Sequence, residues 1–265
     1  MLYLVPTPIG NLGDITLRAL EVLKSVDCIL CEDTRTSSVL LNHFEIKKEL
    51  KSYHKFNETQ VLENVIKRLE KGENVALISD AGTPAISDPG EILVKEVIKR
   101  GLEYTVLPGA NAAVTAFVMS GFEPPFTFVG FLPDKKGDRK KILQSFAHVP
   151  SCLIFYVSPH KIDDVLADLA DVLGDRRACS VREISKKFEE TYFFNLKEEY
   201  KGTIKGEFVL IVDKPDNENS LNELTIEQHL KHYMELGQVK NEAMKSVAKD
   251  RGVSKSEIYN YLIKK

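Results

Sequence analysis

The chain lacks any apolar run near the roughly 20 residues that cross a bilayer. Its N-terminus goes straight into the strand-like segment Leu2-Tyr3-Leu4-Val5, without a basic region or an apolar signal core. A cytoplasmic protein with no membrane partner is expected. Cysteine is scarce: Cys28, Cys31, Cys152 and Cys179 are the only four in 265 residues, too few and too scattered for a disulfide framework. Cys28 and Cys31 form a C-x-x-C, but inside a strand pattern residues three apart face opposite sides, so both thiols cannot easily hold one metal. They read as small buried hydrophobes. The chain also lacks G-x-G-x-x-G after a strand and G-x-x-x-x-G-K-[ST], so its ligand is not expected to be gripped by phosphates. No nucleophile elbow is present. The six histidines are dispersed; His229 and His232 share a helix face without further ligands nearby, which predicts solvated helix surface and no metal site. A net charge of −3 excludes a protein coated in basic surface. Charge is uneven, however: from Val239 to Lys265 seven basic residues stand against three acidic ones, which points to a local anionic partner.

What the chain has is an unusual set of loops. Val75-Ala76-Leu77-Ile78 runs into Ser79-Asp80-Ala81-Gly82-Thr83-Pro84-Ala85-Ile86-Ser87-Asp88-Pro89-Gly90, and a helix pattern follows from Glu91. That loop is longer than a connector needs and dense in glycine, proline, hydroxyls and carboxylates. Leu2–Val5 and Tyr104–Leu107 run into comparable loops, Pro6–Asp14 and Pro108–Ala113. In open α/β sheets ligands bind at the carboxyl ends of strands. Three such loops predict one converging site built largely from main-chain groups, with glycine allowing close approach and proline fixing shape.

Residues 2 to about 119 alternate strand and helix, the pattern of a mainly parallel sheet covered on both faces. The first helix is expected from Asp14, with Asp14 as N-cap and Ile15, Leu17, Leu20, Val22, Leu23 and Val26 as its apolar stripe. Gly121-Phe122-Glu123-Pro124-Pro125 breaks the pattern. The division expected is an N-terminal α/β domain over 1–119 and a second α/β domain over 120–214, with a cleft between them. A polar linker follows from Asp213 to Ser220, and then a helical extension over 221–265. In that extension Lys245–Gly252 reads as one helix and Val253–Leu262 as another, with Ser254 and Glu257 as a capping box, the outline of a helix-turn-helix. A helical hairpin packed on the body is the alternative. Asp134–Lys141 carries five cations around a glycine and reads as a mobile loop or helix start able to touch the phosphates of an anionic partner, or as a solvated helix face.

Five segments in order, Val5–Asp14, Cys31–Arg35, Ser79–Pro84, Leu107–Ala110 and Val181–Glu190, together resemble the small-subunit ribosomal RNA methyltransferases, the RNA-modifying branch of the tetrapyrrole methylase superfamily. The resemblance spans residues 1 to about 213. It implies S-adenosylmethionine as methyl donor, bound between two α/β domains, and transfer to the ribose 2′-hydroxyl of a cytidine in the decoding region of small-subunit (16S) ribosomal RNA. It also implies a homodimer. By position it assigns the donor pocket to Pro8, Asp80, Ala81, Gly82, Thr83, Ser87, Asn111, Ala112, Tyr156 and Gly206-Glu207-Phe208. A sulfonium methyl is already activated, so alignment of oxygen, carbon and sulfur can supply up to ~7–11 kcal/mol. A ribose hydroxyl is a weak nucleophile and gains from a base or a cation nearby. Asp33, Arg35, Arg182 and Glu183 are the candidates, unless the two arginines pair with neighbouring carboxylates only to hold loops. Two other readings remain: a small-molecule tetrapyrrole methylase with a deep acceptor pocket and a dispensable tail, and a nucleic-acid-binding regulator whose α/β body senses a ligand.

Overall fold

The computed structural model describes residues 1–215, 221 and 224–263. The first sheet contains β1 (Leu2–Leu4), β2 (Cys28–Cys31), β3 (Glu49–Ser52), β4 (Val75–Leu77) and β5 (Tyr104–Val106). All pairs are parallel, and the order is β3-β2-β4-β1-β5. Strands of such a sheet are apolar on both faces because helices cover both. On one face Cys28, Leu30 and Leu77 pack with Val65 and Ile66 of α3 (Glu58–Glu70) and Leu93 and Val97 of α4 (Glu91–Lys99). On the other, Ile29, Cys31 and Ala76 pack with Leu23 of α1 (Leu17–Ser25) and Leu41 of α2 (Thr34–His43). Cys28 and Cys31 thus point to opposite cores, and burial pushes both thiols up, which keeps them inert.

Asp14 does not cap the first helix. It closes a 3-10 turn over Leu12–Asp14, and α1 begins at Leu17 with the Thr16 hydroxyl accepting from the Ala19 N–H at 3.0 Å. Leu17 leaves the apolar stripe, being 79% exposed, and Ala19 takes its place inside.

The second sheet has β6 (Phe126–Phe131), β7 (Cys152–Val157), β8 (Arg177–Arg182), β9 (Glu190–Asn195) and β10 (Phe208–Val212), in the order β6-β7-β10-β8-β9. Only β6 and β7 run parallel. β9 was not expected; its Thr-Tyr-Phe-Phe run has the β-branched and aromatic character that favours a strand. α6 (Lys136–Phe146) and α7 (Ile162–Leu173) cover one face. The other is covered by Ala113, Ala116 and Phe117 of α5 (Ala112–Ser120), so the helix that leaves the first sheet packs on the second.

Asp134–Lys141 is a helix start, and it is not uniformly solvated. Arg139 is buried, its Nε donating to Asp168 Oδ2 at 2.7 Å and its Nη1 to the Asp134 carbonyl at 2.9 Å. The tail forms α8 (Ile226–Glu235), α9 (Lys240–Asp250) and α10 (Lys255–Ile263) around a small core of Leu230, Met244, Val247 and Ile258. α9 starts earlier than expected, and α8 is the helix on which His229 and His232 were expected. The Ser254–Glu257 box is present: Glu257 N–H donates to Ser254 Oγ at 3.3 Å, and Ser254 N–H to Glu257 Oε1 at 3.1 Å. His229 is not solvated surface. It is fully buried between Asp250 and Arg251, which gives it a structural role in the tail's core. Lys264, Lys265 and most of the Asp213–Ser220 linker lie outside the described residues. No helix among the described residues is long and apolar enough to cross a membrane.

Candidate active site

Because β1 lies between β4 and β5 and all three run parallel, their carboxyl ends are adjacent and their loops meet. Hydrogen bonds stitch them together. Thr7 N–H donates to the Gly82 carbonyl and Gly82 N–H to the Thr7 carbonyl, both at 3.0 Å. Thr7 Oγ1 donates to the Ser79 carbonyl at 3.0 Å, and Thr83 Oγ1 to the Ala110 carbonyl at 3.1 Å, which ties in the third loop. Gly82 sits at φ +81°, a conformation open to glycine at little cost. Ala85 and Ser87 adopt φ of +64° and +67° without that licence, so the Ser79–Gly90 loop stores strain of the order of 1–3 kcal/mol per residue.

The second sheet supplies the facing wall. The ends of β6, β7 and β8 and the start of β10 bring Phe131, Tyr156, Ile184 and Phe208 against the stitched loops, enclosing a cavity of about 420 Å³. Asp80, Ala81, Gly82, Thr83, Ser87, Asn111, Ala112, Tyr156 and Phe208 all line it. Pro8 lies outside the lining, where its neighbour Ile9 stands instead. Asn111 also caps α5, its Oδ1 accepting from Val114 N–H at 3.1 Å.

The sequence pattern did not single out Asp88, which also lines the cavity. Burial, then Glu32 and Asp80, push its carboxyl up to about 6. Burial raises Asp80 and Glu32 as well, and each is raised further by neighbouring carboxylates. The signal available in the sequence was the carboxylate inside the same strained loop, between Ser87 and Pro89-Gly90. Tyr156 is raised by burial and partly offset by a hydrogen bond from the Ala113 backbone.

Asp80 also lines a second concavity, formed on the other side of β4 by the ends of β2 and β3. Asp33 and Arg35 stand there. Asp33 Oδ1 accepts from Arg35 N–H at 2.8 Å and Nε at 3.1 Å, and Oδ2 accepts from Nη2 at 2.7 Å, which holds the Asp33 carboxyl down at about 2. Arg182 and Glu183 line neither space. Arg182 Nε donates to Glu190 Oε2 at 2.7 Å, and Glu183 accepts from Glu207 N–H at 3.0 Å and Lys186 Nζ at 3.1 Å. Those bonds, led by the one from Glu207, lower the Glu183 carboxyl. Gly206, at φ +82°, leaves the space that Glu183 fills: a Cβ there would stand 2.2 Å from Glu183 Oε1. Arg182 and Glu183 thus shape the lip that carries Phe208. Among the described residues no group of His, Cys, Asp and Glu is placed to hold a metal ion.

A family model described as tetrapyrrole (corrin/porphyrin) methylases matches residues 1–199. The chain belongs to the tetrapyrrole methylase family. Among members of that family, it is 46% identical over 269 residues to "Ribosomal RNA small subunit methyltransferase I" of Halalkalibacterium halodurans, covering 98% of this chain and 93% of that one. The protein so named in Bacillus subtilis is 43% identical with the same coverage. Its counterpart in Mycoplasmopsis pulmonis is 50% identical over 214 residues, 79% of this chain and 96% of that one. Among solved structures, diphthine synthase superposes with a TM-score of 0.64 at 14% identity, covering 80% of this chain and 89% of that one. Uroporphyrin-III-C-methyltransferase from Thermus thermophilus superposes with a TM-score of 0.59 at 18% identity, covering 80% and 94%. Those two likenesses concern the fold.

Proposed function

We propose that this tetrapyrrole methylase transfers a methyl group from S-adenosylmethionine to the ribose 2′-hydroxyl of a cytidine in small-subunit ribosomal RNA. The observation that carries the reading is the 43–46% identity, over nearly the whole chain, to proteins named as ribosomal RNA small subunit methyltransferases. The tetrapyrrole-methylating alternative has on its side the description of the family model and fold-level likenesses at 18–20% identity.

The donor cavity suits S-adenosylmethionine. Its volume lies within the ~300–1,000 Å³ range of small-ligand sites. Apolar walls from Ile9, Ile86 and Phe208 fit a nucleobase, main-chain groups of the stitched loops offer hydrogen bonds, and Asp80 and Asp88 offer carboxylates to a cationic donor. When bound, that donor supplies a methyl group already activated on a sulfonium. The chain's own contribution is positioning, and a site of hydrogen-bonded loops with little freedom performs it well. The ribose hydroxyl must shed a proton as its oxygen bonds to carbon. Asp80, common to the two concavities, and Glu32, beside it in the second, are carboxylates raised towards the basicity that such a proton acceptor needs. Asp33 orients Arg35 beside them. Arg182 and Glu183 act as positioning residues for the cavity lip.

The basic tail supports a role in RNA affinity, though Arg251 and Lys255 spend hydrogen bonds on His229 and Asn241 inside it. The Mycoplasmopsis pulmonis relative is matched almost entirely by four-fifths of this chain, which supports chemistry that runs without a fifth of it. Exposed Val114 and Val118 on α5, with Tyr104 and Val106 on the edge strand β5, support a homodimer. A cytoplasmic location follows from the substrate. The test is a competition of acceptors for labelled S-adenosylmethionine: unmodified small ribosomal subunits, naked rRNA and a uroporphyrinogen. Label in RNA supports the reading, and label only in the tetrapyrrole overturns it.

A further inference from the structure

The concavity beyond Asp80 has about 460 Å³ and a composition that a methyl-donor site does not call for. Phe56 stands on its rim with 90% of its surface exposed, although a phenyl ring gains by burial. The ring is not on a slack loop. Phe56 N–H donates to His54 Nδ1 at 3.3 Å, His54 N–H donates to Asn57 Oδ1 at 2.9 Å, and Asn57 Nδ2 donates to the Ser52 carbonyl at 3.1 Å. Asn57 and Glu58 N–H both donate to the His54 carbonyl at 2.9 Å, so the turn runs directly into α3. The His54 and Phe56 rings meet edge-on, with centroids 6.1 Å apart at 64°. The two aromatics are therefore displayed in a fixed arrangement toward solvent.

The charges in the cleft are ordered. Arg35, 90% exposed, has its fork oriented by Asp33, and Lys55 sits between the two aromatic residues. Asp80 is common to the cleft and the donor cavity, and Glu32, which lines the cleft, is close enough to raise Asp88 on the donor side. From the donor cavity outward the lining passes from Asp80, common to both spaces, to the Asp33–Arg35 pair, His54, Lys55 and Phe56, which line the cleft alone. An extruded nucleotide presents its groups in that order: a ribose hydroxyl at the reacting centre, a base face beside it and phosphates outside. A ligand carrying many carboxylates would meet Glu32 and Asp80 at like charge.

We propose that this cleft is the acceptor-nucleotide subsite. An unstacked base of single-stranded RNA lies on Phe56 with His54 at its edge, Arg35 and Lys55 take the flanking phosphates, and the ribose faces Glu32 and Asp80. The proposal rests on the RNA-methylating reading above and gives that reading its substrate contacts. It also makes the subsite tolerant of base identity, because every base has a face to stack.

The test uses the full chain with unmodified small ribosomal subunits as acceptor, comparing wild type, Phe56→Ala and Phe56→Tyr. Calorimetry measures S-adenosylmethionine affinity in each. Loss of one base stack predicts a KM for the subunit raised roughly tenfold to a hundredfold in Phe56→Ala. The donor Kd stays within about twofold, and Phe56→Tyr returns to near wild-type KM. Lys55→Ala should lower the salt dependence of acceptor binding by about one phosphate contact. Wild-type KM and kcat in Phe56→Ala would overturn the subsite while leaving RNA methylation standing. A wild-type enzyme that binds the donor yet methylates no RNA would overturn the underlying reading, and the subsite with it.

Discussion

Asp88 offers the sharpest link between this fold and its chemistry. It lines the cavity between the two sheets, in the strained loop, and burial, reinforced by Glu32 and Asp80, pushes its carboxyl up to about 6. An unfolded aspartate titrates near 3.9, so the folded chain holds the proton more tightly. The stability contribution is therefore fully present below about pH 4 and is lost as pH rises through about 6. At about 1.4 kcal/mol per tenfold change in proton affinity, the loss is at most about 3 kcal/mol above pH 7, and partial solvent access brings it to about 1–2 kcal/mol. Asp88→Asn removes the charge and keeps the shape. Urea denaturation should find the variant about 1–2 kcal/mol more stable than wild type at pH 7.5 and no more stable near pH 4. The ionised carboxylate is also what a cationic donor would meet. Wild-type affinity for S-adenosylmethionine should thus rise as pH passes through about 6, while Asp88→Asn binds more weakly at pH 7.5 with a flatter profile. An equal stability difference at both pH values would refute the burial argument, and unchanged donor affinity would refute the electrostatic role.

Other expectations follow from contacts elsewhere. Gly10→Ala places a Cβ 2.5 Å from the Ile184 carbonyl, a main-chain atom of the facing wall; it should part the two walls and weaken donor binding at least tenfold by calorimetry. Arg139→Ala strips Asp168 of its buried partner and should cost about 3–5 kcal/mol in denaturation, whereas charge reversal at exposed Lys135 and Lys141 should leave stability unchanged and lower RNA affinity. In the tail, burial lowers the His229 imidazole, with Asp250 opposing and Arg251 and His232 adding to the depression; Tyr233 stacks on the ring. Arg251 Nε donates to Nδ1 at 3.2 Å, so a second proton would have to meet the guanidinium. Stability of α8–α10 should be present above about pH 6.5 and lost as pH falls further, read as proteolysis of the tail while the body stays intact.

Most of the body was legible because its signals are local. The alternating apolar runs mark the parallel sheet, and the glycine- and proline-rich loops mark the strand ends that meet at the cavity. Thr7, Gly82 and Thr83 then tie those loops through contacts distant in sequence, which no periodicity displays. β9 escaped because it answers a hairpin partner in place of a helix crossover. Arg139 and His229 were misread for one reason: a charged or titratable residue on a helix reads as solvated unless its partner, here Asp168 or Asp250, is known. Asp88 and Phe56 were missed because their significance lies in burial and in exposure respectively. Asp33, Arg35, Arg182 and Glu183 could be chosen as charged strand-end residues, but only the structure divides them between a cleft and a cavity lip.

The most direct measurement is to incubate the purified chain with labelled S-adenosylmethionine and small ribosomal subunits lacking the modification. The RNA is then digested to nucleosides, and the methylated product is identified by mass spectrometry. A 2′-O-methylcytidine from the decoding region is the predicted product. A methyl group on a base, or no methylated nucleoside from an enzyme that binds the donor, would contradict the account.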